Sequence, residues 1–341
     1  MYMLSDKDIP VEKSEPLVYL FVLCHNSKKW LKKCLDTLLN TDYTRYKVHI
    51  IDNNSSDDSV EFIKDNYPSV SIIQNKRNLG WCKGNNVGIE ISRNIADYTL
   101  FLNSDTSFEK TDWLKELVEF AECNHEYGIY GCVQYDYNSS DFLNINTWTK
   151  YILTNGNRDI FYSWNKKISN VVKNKPAYLE SVLSRRKHID CYFVQGAAMM
   201  VKNELLNEIG GFDPLYFIFQ DEVDFSRRAR YKGYKTALVC NSRIKHVGSG
   251  DNSSTKKNMK RRNFYYTRNK YIFLLTDVSR NWDEILEISQ QFFRNDLRDA
   301  LKTKQDVSSV FQLVSILFSI LIKSPSIFKK RMLEKRMKQT F

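Results

Sequence analysis

No GxGxxG follows the first apolar run of this 341-residue chain and no GxxxxGK[ST] occurs in it, so neither a dinucleotide fingerprint nor a P-loop is present. Seven cysteines (Cys24, Cys34, Cys82, Cys123, Cys132, Cys191, Cys240) are scattered without a CxxC pair. That pattern argues against a disulfide framework or a zinc site, and for reduced thiols in a cytoplasmic protein. The opening MYMLSDKDIPVEKSEP has no basic region followed by an apolar core; residues 1–15 read as a polar lead-in, not a signal peptide. No uncharged apolar run reaches the roughly 18 residues of a membrane span, and no internal repeat is visible. Positive charge, by contrast, is abundant. A formal net charge of +11 and a pI near 9.1 point to a negatively charged partner: nucleic acid, anionic lipid or a phosphate-bearing substrate. With 42% hydrophobic residues, the chain can bury the core of one large domain plus an appendage.

Apolar runs alternate with helical patterns. LVYLFVLCHN reads as a strand buried on both faces, and Trp30, Leu31, Cys34, Leu35, Leu38 and Leu39 follow it at helical spacing. YKVHIID, SVSIIQN and YTLFLNSD repeat the strand signal, with helices after NNSSDDS and from GWCKGNNVGIEISRN between them. Strand–helix alternation at this pace predicts an α/β fold, a mostly parallel sheet flanked by helices. From about Asn138 to His188 the pattern weakens into an aromatic and basic stretch read as an insertion; beyond residue 250 the chain turns helical and basic.

Candidate functional residues lie where strands end. Parallel sheets place ligands at the carboxyl ends of their strands, where His25–Asn26, Asp52–Asn53, Asn78–Leu79–Gly80 and Asn103–Ser104–Asp105 would gather. Each group also has a plainer reading as turn or cap chemistry, and both readings can hold at once. Gly84 and Gly88 read as close packing of one helix on the sheet. In QDEVDFSRRAR, Asp221, Glu222 and Asp224 open a helix that then carries Arg227, Arg228 and Arg230. This order complements a helix dipole. It also offers a general base to a hydroxyl group. His246, in a loop after a strand, is either structural or a partner for Asp105 in a hard-cation site for Mn²⁺ or Mg²⁺.

The ordered set VLCHN, IIDNNSSDDS, NKRNLGWCKGNNVGI, LFLNSD, GAAMMVKNELLNEIGGFDPLYFIFQDEVDFSRRAR, HVGSG and FYYTRN resembles a family 2 glycosyltransferase, in its rhamnosyltransferase-like branch, over roughly Pro16 to Lys270. The resemblance implies a GT-A (Rossmann-like) domain over residues 16–250, a helical basic extension over 251–341, and inverting transfer from a nucleotide-diphosphate sugar to a hydroxyl. It implies a dTDP- or UDP-linked donor, a divalent cation (Mn²⁺ or Mg²⁺), and a glycan or lipid-linked saccharide acceptor in cell-surface polysaccharide synthesis. By position, Asp52 and Asn53 match the nucleobase contacts, with Asn78 and Gly80 also on the nucleotide side. Asn103, Ser104 and Asp105 match the DxD element, Asp105 being its metal ligand with His246. Glu222 matches the catalytic base with Asp221 in support, and Arg268–Asn269 match an RN element near the diphosphate. Two departures stand out: Asn103 replaces the first acid of DxD, and the acidic pair reads Asp-Glu where many relatives read Glu-Asp.

From Val307 to Ile322 no residue is charged, and Ser308, Gln312, Ser315 and Ser319 form a narrow polar stripe. Lys323, Lys329, Lys330, Arg331, Lys335, Arg336 and Lys338 follow, opposed only by Glu334. An interfacial helix over residues 307–341, peripheral on the inner face of the cell membrane, is expected. Docking on the catalytic domain or a homodimer contact is the other reading. The rival function is a basic nucleic-acid or anionic-surface binding protein without catalysis, supported by KKNMKRRNFYYTRNK. No nucleic-acid-binding motif accompanies that segment. A nucleotidyltransferase would need a Gly-rich basic loop after the first strand, and none is there.

Overall fold

The computed structural model describes residues 14–139, 176–248, 256–302 and 307–339. Residues 1–13 of the lead-in and 140–175 of the expected insertion lie outside the described residues. The first half alternates as the sequence predicts: β1 (Val18–Cys24), α1 (Lys28–Leu38), β2 (Tyr46–Asp52), α2 (Ser59–Asn66), β3 (Ser71–Gln74), α3 (Gly80–Ser92) and β4 (Tyr98–Asn103). Then come β5 (Thr106–Ser107), α4 (Trp113–Cys123), β6 (Tyr127–Asp136), α5 (Pro176–Ser184), β7 (His188–Asp190), β8 (Ala198–Lys202) and α6 (Asn203–Ile209). The chain continues through α7 (Asp221–Tyr231), β9 (Lys235–His246), α8 (Lys256–Leu275), α9 (Trp282–Lys302) and α10 (Val307–Gln339).

The strands form one mixed sheet in the order β3-β2-β1-β4-β8-β6-β9-β5, with β7 on β9. Strands β1 to β4 are parallel, whereas β8 runs antiparallel to both β4 and β6. Alternate residues of β1 serve opposite layers. Val18, Leu20 and Val22 join the core with Leu31 and Leu35 of α1 and Trp113 and Leu117 of α4. Tyr19 and Phe21 face the other way, toward α3. A Cβ on Gly88 would lie 2.6 Å from the Phe21 ring and one on Gly84 would lie 2.7 Å from Leu23, so these glycines do let the helix close on the sheet. The parallel register then sets Cys24 beside Asp52, and Leu23 beside Asn103, at a common edge.

The C-terminal helices are tied to this body by a buried ion cluster. Asp224 of α7 meets Arg227 at 2.9 Å, Arg228 at 3.0 Å and Lys330 of α10 at 3.1 Å. Lys330 also reaches Asp213 and Glu334, both at 2.8 Å, and Glu334 lies 3.2 Å from Arg227. Arg331 donates to the carbonyls of Leu275 and Asp277 and so caps the end of α8. Two of the tail cations expected to face outward are thus turned inward. Helix α10 also runs on through these charges, so by length and composition it is long and apolar enough to cross a membrane, beyond what the uncharged run predicts.

Candidate active site

The end of β4 and the end of β9 build the first part of the site. Thr106 pairs with His246, and the Val247 N–H donates to the Asp105 carbonyl (3.2 Å), which sets the Asp105 side chain against the imidazole. His246 is therefore the last residue of a strand, not part of a loop. Its Nε2 stands 3.3 Å from Asp105 Oδ1 and 3.4 Å from Asn103 Nδ2, while its Nδ1 faces Gln134 Oε1 at 3.3 Å. Trp81 of α3 orients the Asn103 amide. An indole N–H only donates, so at 3.1 Å it fixes Asn103 Oδ1 as its acceptor and turns the amide NH₂ to His246. With the amide so turned, the contacts assign Nε2 as an acceptor and Nδ1–H as the donor to Gln134.

His246 Nε2 and Asp105 Oδ1 thus lie side by side, 3.3 Å apart. A nitrogen and an oxygen donor, with Gln134 orienting the imidazole from behind, fit a divalent cation such as Mn²⁺. Among the described residues no third His, Cys, Asp or Glu joins them, so substrate oxygens and water would supply the other positions. Asn103, at the first DxD position, instead anchors the indole and the imidazole.

At the ends of β2 and β3 the candidate nucleotide-binding side chains have structural partners. Asp52 is buried and accepts from the Ser55 N–H at 3.2 Å through both oxygens, an Asx-type turn. Asn53 donates to the Gly80 carbonyl (3.0 Å) and accepts from Asn75 (2.9 Å), bracing β2 against the start of α3. Asn78 Oδ1 accepts from the Gly80 N–H at 2.8 Å. Gly80 has φ +77 and a Cβ there would meet Phe217 at 2.6 Å, so only glycine fits both the backbone and the space. Ser104 is buried between Asn103 and Asp105.

The acidic pair opens α7. Phe219 and Gln220, just before it, take left-handed backbone (φ 70 and 65), at a cost of about 1–3 kcal/mol each. Asn269 holds them there, donating to the carbonyls of Ile218 (2.8 Å) and Phe219 (2.9 Å), while Arg268 donates to that of Leu215 (3.0 Å). Arg268 and Asn269 are buried, with these polar atoms engaged on the protein's own backbone. That placement makes them supports of the loop carrying the acids.

Asp221 is buried and its Oδ1 has no hydrogen-bond partner among the described residues. Burial, then the charge of Glu222 beside it, pushes its carboxyl well above the usual range. Burial also raises Glu222, which is partly buried, while a backbone N–H and Asp221 pull it back. Both carboxyls are raised, and Asp221 is the more strongly raised of the pair. At Asp221 burial outweighs the favourable helix dipole.

Trp81 joins the two halves. Its indole reaches Asn103, its backbone N–H donates to the Phe217 carbonyl (2.9 Å), and the Asp221 charge is felt at Cys82 next to it. Within the basic segment Tyr265 stacks on Phe217 at 4.9 Å, with Arg268 over Tyr265 at 4.9 Å, while Tyr266 is exposed. Through that contact Tyr265 buttresses the acid-bearing loop. Sequence reading assigned no role to Trp81 or Gln134. An indole in the otherwise small and polar first turn of α3 was the available signal for one; Gln134 gave none, since its partner is 112 residues away.

The sequence profile of Glycosyl transferase family 2 matches residues 19–210. The chain belongs to that family. It is 23% identical over 252 residues to the rhamnosyltransferase WbbL of Escherichia coli K12, covering 70% of this chain and 86% of that protein. It is 29% identical over 113 residues to an uncharacterized glycosyltransferase of Haemophilus influenzae, covering 32% of this chain and spanning only 44% of that relative's length. The mannosyltransferase PcManGT of Pyrobaculum calidifontis, solved with GDP-Man and Mn²⁺, superposes with a TM-score of 0.54 at 12% identity, over 92% of this chain and 76% of that one. The glycosyltransferase fold is shared, and the family's GT-A-like sheet with its flanking helices is the one described above.

Proposed function

We propose that this family member is an inverting transferase that moves a rhamnosyl or hexosyl unit from a dTDP- or UDP-linked donor to a hydroxyl of a glycan or lipid-linked saccharide, in cell-surface polysaccharide synthesis. The observation that carries the reading is one short edge of structure on which Trp81 links a cation-shaped acceptor pair, Asp105 and His246, to a proton-sharing pair, Asp221 and Glu222. Asp105 and His246 would hold the divalent cation, which neutralises diphosphate charge when bound. Asp52, Asn53, Asn78, Gly80, Asn103 and Ser104 form the nucleotide side. Glu222 accepts the acceptor's hydroxyl proton as the new C–O bond forms at the anomeric carbon and the diphosphate leaves with the electrons of the old one. Asp221 stays protonated and orients it, with Arg268 and Asn269 fixing the loop beneath. The enzyme works at the cytoplasmic face of the membrane, where a lipid-linked acceptor would lie.

The test is turnover of the full chain with Mn²⁺, a panel of dTDP- and UDP-sugars, and lipid-linked saccharide extracted from membranes. One donor should release its nucleoside diphosphate together with a glycosylated product of inverted anomeric configuration. Retained configuration would overturn the mechanism, and no release with any donor would overturn the function.

A further inference from the structure

Helix α10 has two faces. Leu313, Ile316, Ile327, Lys330 and Glu334 turn inward and are buried, and Gln312 donates to the Lys260 carbonyl at 2.6 Å. On the opposite side Phe311, Val314, Phe318, Leu321, Phe328 and Met332 recur at steps of three and four (Pro325 completing the series) and are exposed. Phe311, Phe318 and Leu321 are 68, 62 and 67% exposed, which is too much apolar side chain for an ordinary solvated helix face. Trp282 of α9, half-exposed, stacks on Phe328 at 5.8 Å and extends the stripe onto a second helix. Leu321, Phe328 and Trp282 also wall an apolar groove of about 290 Å³.

The charges beside this stripe decide what covers it. Lys329, Lys335, Arg336 and Lys338 are exposed, and the only acid of α10, Glu334, is buried against Arg227 and Lys330. A second copy packed on the stripe with its helix parallel would bring like charge to like charge along α10, and one packed antiparallel would leave the cations facing an uncharged segment. An anionic lipid surface complements both the cations and the apolar stripe. Lys330 and Glu334, bonded inward, keep α10 against the catalytic body, which suits a helix lying flat and not one passing through a bilayer.

We propose that the outward face of α10, extended by Trp282, is where the enzyme rests on an anionic membrane, with α10 in the interface plane. This deepens the reading of a membrane-borne acceptor and rests on it. Truncation before α10 would not test it, since that would strip Lys330 from Asp224; exposed substitutions do. The full chain should float with phosphatidylglycerol-containing vesicles and weakly with pure phosphatidylcholine. Phe311→Ser/Phe318→Ser/Leu321→Ser should lose flotation on both, and Lys329→Gln/Lys335→Gln/Arg336→Gln should lose the anionic preference, about fivefold per basic residue. Circular dichroism confirms the fold of each variant. No flotation of the full chain, or equal flotation of the apolar variant, overturns the proposal. So does a wild-type dimer that the apolar variant converts to monomer without change in vesicle binding. Thermal stabilisation by nucleotide sugar and Mn²⁺ is read on the same samples. Retained donor binding without flotation rejects the surface alone; flotation without binding of any donor rejects the transferase reading.

Discussion

Glu222→Gln is expected to lower turnover by about 10²–10⁴-fold while donor affinity stays unchanged. A nucleotide sugar already carries a good leaving group; the acceptor hydroxyl is the poor partner until its proton is taken. Gln keeps the shape of Glu222 and cannot take the proton. Asp221→Asn should cost less, because a protonated carboxyl and an amide both donate a hydrogen bond. It should also change stability with a definite sign. Asp221 is held above its ordinary value near 3.8, so its contribution is complete below that pH and is lost as pH rises toward the folded value. The Asn variant should therefore melt higher than wild type at pH 7, and the gap should close as pH falls toward 4. Steady-state kinetics and thermal melts check both. A larger loss in Asp221→Asn than in Glu222→Gln would move the base to Asp221.

Lys330→Met is expected to destabilise the protein by about 3–5 kcal/mol, because it leaves buried carboxylates without their shared cation. Lys330 contacts Asp213, Asp224 and Glu334 within 3.1 Å, and Asp224 is fully buried. Burial alone would raise the Asp224 carboxyl; Lys330, Arg228 and Arg227 together hold it well below the usual range. Its contribution is therefore present above pH 3.8 and fades only in stronger acid, so the loss should be complete at neutral pH. The melting temperature should fall by on the order of 10 °C. Lys330→Met/Glu334→Gln should recover part of it by restoring charge balance with Arg227 and Arg228. An unchanged melting temperature in the single variant would mean that α10 is not held by this cluster.

How much of this was legible beforehand follows the range of the interactions. Strands buried on both faces announce themselves as unbroken apolar runs, so β1, β2 and β4 and their polar ends at Asn26, Asp52 and Asn103 could be read directly. Gly84 and Gly88 were legible as packing positions because their four-residue spacing marks one helix face. The insertion of antiparallel β8 between β4 and β6 was not legible, since it depends on pairings such as Leu100 with Met200 that lie far apart in the chain. The tail misled for the same reason. Lys330 and Arg331 look like neighbours of Lys329 in a basic anchor, and only the fold brings them to Asp224 and to the end of α8. At α7 the local pattern suggested a dipole-stabilised acidic turn, but burial, a property of the whole fold, raised the Asp221 carboxyl instead.

Donor binding with and without metal tests the central claim most directly. Wild type and Asp105→Ala are heated with a panel of dTDP-, UDP- and GDP-sugars in Mn²⁺ or in EDTA, and the melting temperature is read. The Asp105–His246 geometry predicts that at least one nucleotide sugar stabilises wild type in Mn²⁺ and not in EDTA, and that Asp105→Ala folds but shows no such stabilisation. Equal stabilisation in EDTA, or an undiminished response in Asp105→Ala, would contradict it.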